Sequence, residues 1–107
     1  METPAFSRRA EALLSPEERY ELIDFLANNP LAGDVVPGLG GIRKLRFGAK
    51  RRGTRGGIRM IYYVLDEGHP IIALLIYGKN EQANFTPAQR KVMASVVQQL
   101  KTRWSRT

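Results

Sequence analysis

Three stretches rich in β-formers lie close together in the middle of the chain: 42–47 (IRKLRF), 58–65 (IRMIYYVL) and 71–77 (IIALLIY). They constrain the fold more than any other feature. A Gly/Arg segment, 48–57 (GAKRRGTRGG), joins the first to the second, and the turn 66–70 (DEGHP) joins the second to the third. Strands joined by hairpins pair antiparallel. Period two puts Lys44 and Arg46 on one face of the first strand and Leu45 and Phe47 on the other. The run 71–77 is apolar at both parities, which predicts a central strand covered on both faces.

Helices flank this block. Residues 6–14 (FSRRAEALL) predict a short amphipathic helix. Ser15-Pro16-Glu17-Glu18 then reads as a capping box with proline at the first helical position. Tyr20, Leu22, Ile23, Phe25, Leu26 and Ala27 form the apolar stripe of the helix that follows, and Asn28-Asn29-Pro30 ends it. Residues 31–41 read as a loop, punctuated by Gly33, Pro37, Gly38, Gly40 and Gly41. Thr86-Pro87-Ala88-Gln89 is a second capping box. Behind it Val92, Met93, Val96, Val97, Leu100 and Trp104 recur at helical spacing. The predicted architecture is α+β: one domain spanning 1–107, with helices packed on a three-stranded antiparallel sheet.

The charge is unevenly placed. Seventeen Lys and Arg against ten Asp and Glu give a net charge of +7. Residues 35–65 contain no acid, yet they hold eight cations: Arg43, Lys44, Arg46, Lys50, Arg51, Arg52, Arg55 and Arg59. The rest of the chain holds nine cations and ten acids. Positive charge concentrated inside a fold attracts polyanions and releases their counterions, which points to nucleic acid. The plainer alternative is a solubilising face. The chain has no cysteine and one histidine, which excludes disulfides, thiolate metal sites, cysteine nucleophiles and multi-histidine metal centres. No cofactor is expected. The glycines of the 31–41 loop match neither GxxxxGK[ST] nor GxGxxG, which excludes the usual nucleotide loops. The longest apolar run is seven residues, against the ~20 of a membrane helix. No signal peptide is evident, so the expectation is a cytoplasmic protein without a membrane partner.

Acid–base candidates are few. His69 sits in the turn beside Gly68 and Pro70 and reads as a solvated residue. Glu81 is the carboxylate that lies at the end of the central strand near basic residues. The remaining candidates are cations and tyrosines. Lys44, Arg46 and Arg59 come from adjacent strands, and Lys79 ends the next. Tyr62, Tyr63 and Tyr77 either stack on bases or pack in the core, and core packing is expected for at least two of them. The cations either bind phosphate without catalysis or use it. RNA carries its own nucleophile, the 2′-OH. A protein that aligns this oxygen with the phosphate and stabilises the added charge with Arg and Lys needs no histidine. A Lys crowded by like charges is a candidate base.

Several strings, in this order, resemble the RelE/HigB-type toxins of bacterial type II toxin–antitoxin systems. They are Gly33-Asp34-Val35-Val36-Pro37-Gly38, Gly40-Gly41-Ile42-Arg43-Lys44-Leu45-Arg46, Arg55 to Tyr63 (RGGIRMIYY), Leu75 to Glu81 (LIYGKNE) and the helix opening at Thr86-Pro87. The resemblance runs over roughly residues 6–100. It implies a small curved antiparallel sheet flanked by helices, as in the RelE/ParE toxin fold. It implies an mRNA endonuclease that works in the ribosomal A site and is held by a cognate, HigA-like, DNA-binding antitoxin. Operator DNA would be met only through that antitoxin. The implied catalytic positions are Lys44 and Arg46, which orient and activate the RNA, Arg59 as the transition-state cation, and Lys79. The implied RNA-binding positions are Arg43, Lys50, Arg51, Arg52, Arg55, Tyr77 and Asn80, with the 50–55 loop on ribosomal RNA. The family has a strand before its first helix, where this chain has only residues 1–4. Where the RelE branch has a tyrosine near the end of the site, this chain reads Asn84-Phe85-Thr86, so stacking would pass to Tyr77. Two other functions fit the same residues: a basic RNA- or ribosome-binding protein without catalysis, and a gyrase poison of the ParE kind.

Overall fold

Each helix starts where a side chain takes up backbone donors that the first turn leaves unpaired. The Thr3 hydroxyl accepts from the Phe6 N–H at 3.1 Å and opens α1 (Pro4–Leu13). Ser15 and Glu18 form a reciprocal capping box at 2.9 and 3.1 Å ahead of α2 (Pro16–Asn28). Thr86 and Gln89 repeat it at 3.0 and 3.1 Å ahead of α3 (Pro87–Trp104). Such caps contribute about 1 kcal/mol each. Both boxes stand where the sequence predicts them. Thr3 does not, and it moves the start of the first helix two residues earlier than expected, to Pro4. The computed structural model describes residues 1–48, 57–66, 68, 70–78 and 85–104.

Between α2 and α3 run β1 (Asp34–Val35), β2 (Ile42–Phe47), β3 (Ile58–Tyr63) and β4 (Ile72–Gly78). They form one sheet in the order β1-β2-β3-β4, every neighbour antiparallel. The α+β class is therefore as expected, with a fourth strand, β1, in what the sequence reads as loop. The register shifts between Ile61 and Tyr62, where β4 carries one extra residue.

Sheet parity divides the core in two. Leu45, Ile58, Met60, Tyr62 and Ile76 face Phe6 and Ala10 of α1 and Leu22 and Leu26 of α2. Ile42, Ile61, Tyr63, Ile72 and Tyr77 face Met93 and Val97 of α3. β3 and β4 are thus buried on both sides, which explains their apolar runs. β4 is nevertheless not central, as the sequence predicts, but last in the strand order. It is apolar at both parities because helices cover both its faces. Its outer edge is met by residues 1–3. Ala73 N–H donates to the Met1 carbonyl (2.8 Å), Thr3 N–H to the Ala73 carbonyl (3.0 Å), and the Thr3 hydroxyl to the Leu74 carbonyl (2.7 Å). Glu2 forms a parallel bridge with Ala73 and an ion pair with Arg19 of α2. That part of the edge is closed to pairing with another chain. Among the described residues, no helix is long and apolar enough to cross a membrane.

One buried polar group ties the segment before β1 to the sheet. The Tyr62 hydroxyl accepts from the Gly33 N–H at 2.8 Å and donates to the Pro30 carbonyl at 2.9 Å. Glycine is required at 33, since a Cβ there would lie 2.8 Å from that hydroxyl oxygen and 2.9 Å from the Lys44 carbonyl oxygen. Tyr62→Phe leaves a buried N–H without its acceptor. The expected loss is about 1–3 kcal/mol, read as a lower urea midpoint at unchanged slope.

Candidate functional site

Alternation along β2 and the register with its neighbours decide which cations meet. Lys44 and Arg46 share the parity of Ile42, so they lie on the α3 side of the sheet, as does Arg59 of β3. Arg46 is directly opposite Arg59, and Arg59 directly opposite Tyr77 of β4. Directly opposed Cβ atoms stand about 4.5–5.5 Å apart. Lys44 is two residues along β2 from Arg46, or about 7 Å. Arg46 is exposed, while Lys44 and Arg59 are half-buried. Three cations predicted to converge are therefore on one face of two adjacent strands.

Opposing like charges on a sheet are unfavourable by a few tenths of a kcal/mol or more. A bound anion reverses that sign. Arginines at directly opposed positions carry planar forks of donors suited to phosphate, although one N–H of Arg59 is donated to the Ile58 carbonyl at 3.3 Å, and Lys44 adds a compact charge further along β2. Asp34 is directly opposite Lys44 and sets one carboxylate at the outer margin of this face. Sequence reasoning missed it, because a two-residue strand has no periodicity to detect.

Other predicted site residues are placed elsewhere. Arg43 has the opposite parity and is turned away from the cluster. Its guanidinium donates to the Gly33 carbonyl at 2.7 Å and to the Leu31 carbonyl at 3.3 Å, so it helps hold the turn that Tyr62 pins. Tyr77 shares the face of Arg59, but the residue is only 6% exposed and belongs to the core cluster under α3. The stacking platform expected there is covered by protein in this structure. Phe85 packs partly buried against the same cluster. Lys50, Arg51, Arg52, Arg55, Lys79 and Asn80 lie outside the described residues, as do His69 and Glu81. Gly48, Gly57 and Gly78, which border the segments 49–56 and 79–84, stand at the end of the sheet that carries Arg46 and Arg59.

Burial pushes the phenols of Tyr62, Tyr63 and Tyr77 above the ordinary value of 10.0. For Tyr77 the positive charge of Arg59 opposes that rise, and for Tyr63 the charge of Asp66 adds to it. A phenol with a raised folded-state pKa is neutral in both states well below pH 10. Above that, the unfolded chain loses its proton first and is favoured. Stability is thus expected to hold up to roughly pH 9 and to fall as the pH climbs through and beyond 10. Urea midpoints across that range, followed with tyrosinate absorbance, check this.

Among the described residues, no group of three or more His, Asp or Glu could hold a metal ion. No family model matches the sequence.

Proposed function

We propose that this chain is a toxin of the RelE/HigB kind, a ribosome-dependent endoribonuclease that arrests translation by cutting mRNA in the A site. The observation that carries this reading is the direct opposition of Arg46 and Arg59 on one face, with Lys44 two residues away. The charge pattern supports it, since residues 35–65 hold eight of the seventeen cations and no acid.

In this reading the two guanidiniums grip the scissile phosphate. The 2′-OH of the preceding ribose gives its proton to water and attacks phosphorus, the 5′-oxygen of the next nucleotide leaves and takes a proton from water, and a 2′,3′-cyclic phosphate forms. Arg59 and Arg46 stabilise the charge that builds on the phosphoryl oxygens, where each well-aimed donor is worth about 10²–10³ in rate. Lys44 neutralises the same region from further along β2. Nothing in the mechanism needs a cofactor. A flexible RNA would seldom present its 2′-oxygen in line, so a ribosome that holds the codon rigidly supplies much of the acceleration. The cognate antitoxin, HigA-like and DNA-binding, is the expected regulatory partner and would carry the complex to operator DNA.

The test is mRNA integrity in a purified translation reaction, mapped by primer extension with and without ribosomes. Cuts inside the A-site codon only when ribosomes are present support the proposal. Intact mRNA with blocked translation replaces it with a ribosome-binding module. Intact mRNA with normal translation and with DNA damage signalling in cells replaces it with a gyrase poison.

A further inference from the structure

A second stretch of the chain is basic and free of acids. Residues 82–107 hold five cations, Arg90, Lys91, Lys101, Arg103 and Arg106, and no Asp or Glu. Two of them, Arg90 and Lys101, are half-buried and reach the loop that precedes β2. Arg90 donates to the Pro37 carbonyl at 2.6 Å. A Cβ at Gly38 would lie 3.2 Å from the Arg90 guanidinium, and one at Gly40 would lie 3.7 Å from the Lys101 ammonium. Arg90 and Lys101 are eleven residues apart, or about 16 Å along α3. Gly38 and Gly40 can stand no more than about 7 Å apart. The two side chains therefore lean toward each other over one short loop.

The loop offers donors of its own. Pro37 and Gly38 form a turn with Gly38 at φ +77°, and Gly40 is left-handed as well, at φ +74°. Backbone of this kind can turn N–H groups outward into a concave set that accepts an anion. Among the described residues, the N–H groups of Gly38, Gly40 and Gly41 have no acceptor. Leu39, 2% exposed, anchors the loop under α3, while Gly38 and Gly40 stay at the surface.

The positive charge here is not neutralised by the protein. A bond to a neutral carbonyl leaves the charge of Arg90 in place. Among the described residues, neither Arg90 nor Lys101 has an ion pair. Asp34 stands opposite Lys44, and Asp66, whose charge reaches the Tyr63 phenol, accepts from the Gly68 N–H. Two half-buried cations gathered without a counter-charge repel one another, and an anion between them reverses the sign. A phosphate has oxygens enough to accept from guanidinium, ammonium and backbone N–H together.

We propose that the loop 37–41, with Arg90 and Lys101 over it, binds a phosphate group at a site separate from Arg46 and Arg59. The loop, Ile42, Lys44 and Arg46 follow one another along the α3 side of the sheet. An RNA strand held by Arg46 and Lys44 therefore meets this loop next, and a free phosphorylated small molecule presents the same group. The site stands whether or not the chain cuts RNA.

The probes are inorganic phosphate and a 2′-O-methyl oligouridylate, which lacks the attacking hydroxyl. Each is titrated into the full ¹⁵N-labelled chain at constant ionic strength. The amides of Gly38, Gly40 and Gly41 should shift together and saturate, with a dissociation constant at or below roughly 1 mM for one probe or both. Tighter binding of the oligonucleotide assigns the group to an RNA backbone. Tighter binding of inorganic phosphate assigns it to a free phosphorylated ligand. Lys101→Gln should weaken binding about three- to tenfold and keep the spectrum of a folded chain, since it leaves the Arg90–Pro37 bond in place. Lys91→Gln removes the same charge from an exposed position of α3 and should change the affinity less than about twofold. No shift at these three amides with either probe, or shifts that grow without saturating, would overturn the proposal. So would equal weakening by Lys91→Gln and Lys101→Gln, which would make the effect one of net charge.

Discussion

Arg59→Ala is expected to lower the rate of ribosome-dependent mRNA cleavage by about 10²–10³, with a smaller change in affinity for the ribosome. The reason is position. Arg59 is held on β3 between two strands, with Arg46 opposite on one side and the buried Tyr77 opposite on the other. Its guanidinium is half-buried and donates to the Ile58 carbonyl at 3.3 Å, which restrains the group beside its strand. Arg59→Lys should recover only part of the loss, because an ammonium cannot make the paired, planar contact. Arg46→Ala should fall in the same direction but less steeply, since Arg46 is exposed and more fully solvated. Single-turnover cleavage on stalled ribosomes reads the chemical step, and ribosome co-sedimentation reads binding. A urea midpoint for each variant separates lost chemistry from lost fold. Equal losses in binding and cleavage would make the cluster a phosphate-binding surface alone.

Gly57→Ala should be the most damaging single methyl in the described structure. Gly57 has φ +82°, and a Cβ there would lie 2.2 Å from the Phe47 carbonyl oxygen. The left-handed backbone costs a non-glycine residue about 1–2 kcal/mol, and relieving the clash must move one strand off the other, for a total of about 2–4 kcal/mol. The displacement falls where Phe47 pairs with Ile58, one position from the Arg46–Arg59 pair. A shift of about 1 Å at that pair is enough to cost roughly 10²-fold in rate. Urea unfolding should show the lost stability. Cleavage assayed at low temperature, where the variant is still folded, should show the misplacement.

The features legible in the sequence are those fixed within a few residues of themselves. Ser15 and Glu18, or Thr86 and Gln89, meet across one helical turn, so their spacing is sufficient to foresee them. The β2 span, Ile42–Phe47, and the shared face of Lys44 and Arg46 follow from period two alone. The grouping of Lys44 and Arg46 with Arg59 needed one further inference, that the flanking strands form a hairpin, and the register supplies the opposition.

Other features depend on partners far away in the chain. Arg43 sits beside Lys44 in the basic string 43–46 and reads as one more cation. Its role is set by carbonyls at Leu31 and Gly33, in the same segment that the Tyr62 hydroxyl holds to the sheet. Tyr77 reads as a stacking aromatic until α3 closes over it. The run 71–77 has the pattern of a central strand, but residues 1–3 and two helices, not two neighbouring strands, account for its burial. The exposed flank of α2 is hidden in the sequence because Ile23 and Leu22 are equally apolar, and only the docking of α2 decides which is buried. The sequence by itself determined the two capping boxes, the hairpin strands and the site of concentrated positive charge, because such boxes, pleats and charge are local properties. The tertiary structure alone decided the strand order, the facing of Arg43, the burial of Tyr77 and the exposed flank of α2, because burial is a relation between segments distant in the chain.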